Sequence, residues 1–122
     1  MSAYTQLIDQ YFDTWNETDA ARRRELIAAT WTDNCVYVDP LLAGNGHDGI
    51  DAMIRAVHER FPGHSFRRAS DVDGFANNVR FSWWLETPEG TPIVKGSDFG
   101  VVEACGRLRT VTGFLDQVPG GA

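Results

Sequence analysis

From Tyr4 onward the apolar residues Leu7, Ile8, Tyr11, Phe12 and Trp15 recur at helical spacing, which predicts an amphipathic helix ending near Asn16. Tyr11 lies in the middle of its inward face. Thr18 or Asp19 then supplies a cap for a second helix, with Leu26, Ile27 and Trp31 turned inward and the arginines turned out. The polar run Thr32-Asp33-Asn34 interrupts the pattern, and a buried strand follows through Cys35-Val36-Tyr37-Val38 to Asp39-Pro40. Beyond a glycine-rich loop, Asp48 is placed to cap a third helix with Ile50, Met53, Ile54, Val57 and Phe61 as its apolar stripe; Pro62-Gly63 stops it.

Past His64 the period changes from helical to alternating. Turn signals at Asp73-Gly74, Pro88-Glu89-Gly90 and Ala104-Cys105-Gly106 bound strands predicted at 65–72, 77–87, 92–103 and 107–117, with a loose tail at 118–122. Short connections between successive strands make an antiparallel meander. In the second of these strands Val79, Phe81, Trp83 and Leu85 share one face, and Arg80, Ser82, Trp84 and Glu86 the other. Neither face is wholly polar, so one is expected to line the core and the other to meet a helix or a second copy of the chain, which predicts a homodimer. The sum is an α+β, cone-shaped fold with three N-terminal helices packed on a curved antiparallel sheet, one domain over residues 1–122. A bent sheet crossed by helices leaves a cavity suited to a small apolar ligand.

Composition narrows the partners. With 43% hydrophobic residues in 122, the chain can build an ordinary core without disulfide staples. Cys35 and Cys105 lack paired-ligand spacing and read as free, buried thiols in a reducing compartment. A net charge of −6 repels polyanions, so neither nucleic acid nor an anionic membrane is an expected partner. Arg22-Arg23-Arg24, the one basic cluster, reads as the solvated face of a helix. Without a long apolar span or an apolar leader, the expected location is the cytoplasm.

Among motifs, Gly44-Asn45-Gly46-His47-Asp48-Gly49 fits the spacing of a dinucleotide fingerprint, but four residues separate Asp39 from its first glycine and the remainder is a meander. The glycines serve a sharp loop instead. His47, His58 and His64 have no ligand spacing with one another, so neither a metal nor a cofactor is expected. His64, opening a strand beside Phe66, is kept as a candidate acid or base at the cavity mouth. Proline fixes its own φ and extends the residue before it, so Asp39 is either a surface turn residue or a carboxylate held at a strand exit. Asp98 lies inside the strand Gly96-Ser97-Asp98-Phe99-Gly100, where a buried charge is costly. It faces solvent, pairs with Lys95 or an arginine, or stays neutral in an apolar pocket.

Tyr11, Asp39 and Asp98 are thus a helix phenol, a strand-exit carboxylate and a mid-strand carboxyl group that one fold can bring together. Their order, with Asn16 and Asp19 after Tyr11, Val38-Asp39-Pro40, Gly49-Ile50 and Ser97-Asp98-Phe99, resembles the nuclear transport factor 2-like, or SnoaL-like, superfamily over residues 4–118. That superfamily includes ketosteroid isomerases, polyketide cyclases, scytalone dehydratase and limonene-epoxide hydrolase. Resemblance to the ketosteroid isomerase branch implies that Asp39 is the base that shuttles a proton at carbon, with Tyr11 and a protonated Asp98 stabilising the enolate oxygen. In a cyclase-like arrangement His64 or Asp116 would substitute. Trp15, His64, Phe66, Trp83 and Val111 are the further expected lining of the pocket. Four tryptophans, however, would crowd a cavity meant for a flat polycyclic substrate. The implied function is an isomerase or cyclase acting by acid–base proton transfer on a small, largely apolar carbonyl compound. Its alternative is a non-catalytic ligand-binding or dimeric assembly domain of the same fold.

Overall fold

Three helices precede most of the sheet in a computed structural model that describes residues 3–119. Helix α1 (Ala3–Asn16) buries Ile8, Tyr11, Phe12 and Trp15 along the predicted face. Helix α2 (Ala20–Thr30) starts at Asp19, whose carboxylate accepts the Arg22 N–H at 2.8 Å. It ends a residue before Trp31, which opens strand β1 (Trp31–Val38) instead of closing the helix. The polar run 32–34 breaks the pattern as a register irregularity inside that strand, between Trp31 and Val36.

Beyond Asp39-Pro40 the chain turns back. The expected loop contains a short strand, β2 (Ala43–Asn45), paired antiparallel with β1. Its glycine has a packing reason: a Cβ on Gly44 would lie 2.7 Å from the Gly49 carbonyl oxygen, so hairpin and helix backbones touch there. Helix α3 (Gly46–Arg60) begins earlier than its pattern suggested. Asn45 is its cap residue, and Asp48 lies in the first turn, held at 2.9 Å by Arg24.

The predicted strand 65–72 divides into β3 (Ser65–Arg68) and, after a break, β4 (Asp73–Phe75). The turn falls at Ala76 and Asn77, both with positive φ, and Asp73-Gly74 belongs to β4. Strands β5 (Asn78–Glu86), β6 (Pro92–Val102) and β7 (Leu108–Gln117) complete a curved, mostly antiparallel seven-stranded sheet in the order β2-β1-β7-β6-β5-β3, with β4 beside β5. The meander is as expected. Parallel pairing of β1 with β7 was not, and it carries Tyr37 opposite Val111.

Burial follows alternation: Val79, Phe81, Trp83 and Leu85 face the helices, as do Gly96, Asp98 and Gly100 of β6. Two polar assignments change. Arg23 is buried, with Nε 2.7 Å from Asp51 Oδ1 on α3, so one arginine of the run faces inward. Cys35 is a buried free thiol, but Cys105 is exposed, because it occupies the β6–β7 turn. Of the expected loose tail, Val118 packs against the core and residues 120–122 lie outside the described ones. No helix among the described residues is long and apolar enough to cross a membrane.

Candidate functional site

Register places the site. Across β5, β6 and β7 the ladder sets Phe81 opposite Asp98 and Asp98 opposite Gly113. Asp98 therefore projects toward α1 from the middle of the sheet, and it is only 3% exposed. Its Oδ2 accepts from Tyr11 Oη at 2.8 Å and its Oδ1 from Trp83 Nε1 at 3.0 Å. Burial pushes its carboxyl up to about 6; the Trp83 and Tyr11 hydrogen bonds oppose that rise, and the charges of Asp39 and Asp116 add to it. Burial, followed by the charge of Asp98, raises the Tyr11 phenol well above its ordinary value, so it stays a proton donor.

A second pair stands beside the first. Tyr37, facing inward from β1, donates to Asp39 Oδ2 at 2.7 Å. Asp39 Oδ1 accepts the backbone N–H groups of Leu41 and Leu42, each at 2.8 Å. Asp39 is thus both a turn residue and a wall residue of the pocket. Burial, then the charges of Asp98 and Asp39, raises the Tyr37 phenol as well. The two pairs meet over Gly113, where a Cβ would lie 2.9 Å from Asp98 Oδ1, 3.1 Å from Tyr37 Oη and 3.2 Å from Asp39 Cβ. Any larger residue there would wedge the carboxyl groups apart.

Around these groups runs an aromatic wall. Trp15 touches Tyr37 and Phe66, with ring centroids 5.6 and 5.2 Å away, and Phe66 meets Trp83 at 5.3 Å. The wall encloses a cavity of about 740 Å³ whose remaining lining is mostly apolar, including Leu42, Val57, Phe61, Leu85, Val94 and Leu115. Exposed Leu41, Glu59, Arg60 and Pro119 also border it. Asn16 pins the wall to α1: its side-chain amide donates to the Phe66 carbonyl at 2.9 Å and accepts the Phe66 N–H at 2.7 Å, as a neighbouring strand would.

Tyr11, Asp39, Asp98, Trp15, Phe66 and Trp83 line one cavity. Two expected lining residues do not. His64 is tied to the turn before it, with Nδ1 3.1 Å from the Pro62 carbonyl oxygen and its ring against Phe61. Val111 shares a strand face with Gly113 but lies two residues away in the packed core, 1% exposed. Asp116 is exposed and accepts from Ser97 on the outer face of the sheet. His47 and His58 each bond a backbone carbonyl oxygen, of Trp31 and Trp15, and no group of three His, Cys, Asp or Glu side chains among the described residues could hold a metal ion. The sequence reading missed Tyr37. Its signal was the alternation of Cys35 and Tyr37 along β1, continued by Asp39 just past the strand's end.

Three helices laid on one curved sheet, with carboxyl groups set in an otherwise apolar cavity, define a class of α+β pocket domains. A family model described as the SnoaL-like domain matches residues 8–111, and the chain belongs to that family. Among solved structures, it is similar to a "putative isomerase of the SnoaL-like family" from Agrobacterium tumefaciens, with 42% identity, a TM-score of 0.91, and 95% of this chain and 99% of that one covered. It is also similar in fold to an NTF2-like protein of unknown function from Exiguobacterium, with 19% identity, a TM-score of 0.71 and coverage of 90% and 98%. A "putative polyketide cyclase" from Sinorhizobium meliloti shares the fold at 12% identity and a TM-score of 0.69, over 88% of this chain and 93% of that one. No curated protein matches the chain.

Proposed function

We propose that the protein is an isomerase or cyclase that moves a proton at carbon on a small, largely apolar carbonyl compound bound in a conical pocket. The observation that carries this reading is the convergence of the Tyr11–Asp98 and Tyr37–Asp39 pairs on Gly113 inside an aromatic-lined cavity. Asp39 Oδ2 takes the proton from the carbon beside the carbonyl. The electron pair moves to the carbonyl oxygen, which receives hydrogen bonds from protonated Asp98 and from Tyr11, whose single O–H turns from Asp98 to the developing charge. The proton then returns from Asp39 at another carbon, or the carbanion closes a ring on a second carbonyl of the same molecule, whose oxygen takes the C=O electron pair and then the proton from Asp39. No metal or cofactor enters these steps. Similarity at 42% identity to the structure named a "putative isomerase of the SnoaL-like family" supports the same class of chemistry.

The test is deuterium uptake. Apolar ketones and diketones of up to about a dozen carbons, incubated with the protein in D2O, exchange their α-protons faster than buffer allows, as followed by proton NMR. Asp39→Asn lowers the exchange rate by about 100-fold or more. Unchanged exchange in that variant sinks the reading. Because Asp98 donates only when protonated, the rate falls as pH rises through about 6.

One observation favours a second reading. Three donors already occupy Asp39, as in a turn that only braces the pocket wall, and this fits a non-catalytic ligand-binding domain. Thermal shifts with the same ketones but no exchange would select it. In both readings we propose a single cytoplasmic domain that forms a homodimer through the outer face of its sheet, with a small apolar molecule as partner and no nucleic acid or membrane.

A further inference from the structure

The indole of Trp83 has one donor and no acceptor, so its hydrogen bond to Asp98 serves only an oxygen with a free lone pair. Trp83 sits directly across the β5–β6 ladder from Gly96. A Cβ on Gly96 would lie 2.1 Å from indole Cζ2 and 2.4 Å from Cε2, so the ring rests on bare backbone at that point. From there Nε1 reaches Asp98 Oδ1, two residues along β6, at 3.0 Å. The Phe66 ring stands edge-on to the indole, its centroid 5.3 Å away. Both the seat and the bond are buried.

We infer that Trp83, seated on Gly96, is a positioning residue that sets the pH range over which Asp98 gives up its proton. The inference rests on the proposed role of Asp98 in proton transfer and adds the regulation of that site. The groups that face Asp98 leave the task to few others. Tyr11 on α1 is the second donor, Tyr37 and Asp39 approach from β1 and the turn after it, and Asp116 on β7 adds negative charge from the outer face. Glu59 and Arg60 of α3 stay exposed where they border the cavity. No arginine or lysine among the described residues hydrogen-bonds or ion-pairs with Asp98. With the indole N–H gone, burial and two neighbouring carboxylates remain against a single phenol, and Asp98 holds its proton to higher pH.

Direct titration tests this without any substrate. With aspartate labelled at its side-chain carboxyl carbon, the Asp98 signal is identified by its loss in Asp98→Asn and followed by carbon NMR from pH 4 to 9. The native midpoint is expected at about 6. Replacing Trp83 with benzothienylalanine, which keeps the bicyclic shape but has no N–H, moves the midpoint up by about one to two pH units. Trp83→Phe moves it the same way. Gly96→Ala, which unseats the indole while leaving it in the chain, also raises the midpoint and adds nothing on top of Trp83→Phe. A midpoint unmoved or lowered in the benzothienylalanine protein overturns the inference. One unmoved in Gly96→Ala alone overturns the role of the seat. Failure of the deuterium assay with this titration intact would fault the proposed reaction and not the tuning.

Discussion

Asp98 is more willing to hold a proton in the folded chain than in the unfolded one, where its carboxyl returns to about 3.8 from about 6. The folded state then binds the proton more tightly, so this contribution to stability is complete below about pH 3.8 and is lost as pH rises through about 6. A shift of that size corresponds to about 2–3 kcal/mol. Asparagine at this position keeps an oxygen for Trp83 and offers an N–H to Tyr11 Oη. Asp98→Asn is therefore expected to be more stable than the native chain by about 1–3 kcal/mol at pH 8 and nearly equal to it at pH 4, in urea titrations. A gap independent of pH would refute this. That one fold could bring Tyr11 and Asp98 together was legible in the sequence, from an inward phenol and an awkward strand carboxyl group, but their hydrogen bond was not, since the strand alone left Asp98 to solvent, to a basic partner or to a neutral state. The reach of Trp83 was not, since it depends on what faces it across the ladder. His64 misled because alternation says nothing about a histidine captured by its own Pro62-Gly63 turn.

At the scale of elements, the helices are clamped by charge as well as by apolar faces. Arg23 on α2 donates to Asp51 on α3 and, through Nη1, to the Glu17 carbonyl oxygen at 3.0 Å, while Arg24 and Arg55 flank the same carboxylate at 4.0 and 3.9 Å. Removing one partner strands a buried charge. Asp51→Ala should cost about 3 kcal/mol, against less than about 0.5 kcal/mol for Arg24→Ala at its exposed pair with Asp48. The double replacement Arg23→Met with Asp51→Leu should recover most of that loss. A double-mutant cycle by chemical denaturation checks both, and additive single losses would show that the pair is not coupled. Three arginines in a row cannot share one helix face at about 100° per residue, so one had to point elsewhere. Which one was invisible without α3. The strands of the meander were readable because short turns fix their neighbours, but the parallel contact of β1 with β7 joins segments far apart in sequence.

On the whole molecule, the outer sheet face leaves Val36, Val38, Phe99 and Phe114 exposed, the last at 59%. Val38 and Phe99 both pair with Thr112, so the row runs continuously across three strands. A self-associating chain would cover this row. Sedimentation velocity is expected to show a dimer that Phe114→Glu converts to monomer with unchanged near-ultraviolet circular dichroism; a monomeric native chain at high concentration would end the proposal. The contact between β1 and β7 also governs when the cavity can exist. During synthesis the helices, β1 and the β3–β6 meander emerge first, and Asp39 cannot be seated against the Asp98 face until residues 108–117 have left the ribosome. Closing so long a loop is slow relative to forming a helix or a hairpin. Retention of an apolar ligand should therefore come late in refolding, after the helical signal, and a chain stalled before β7 should hold none.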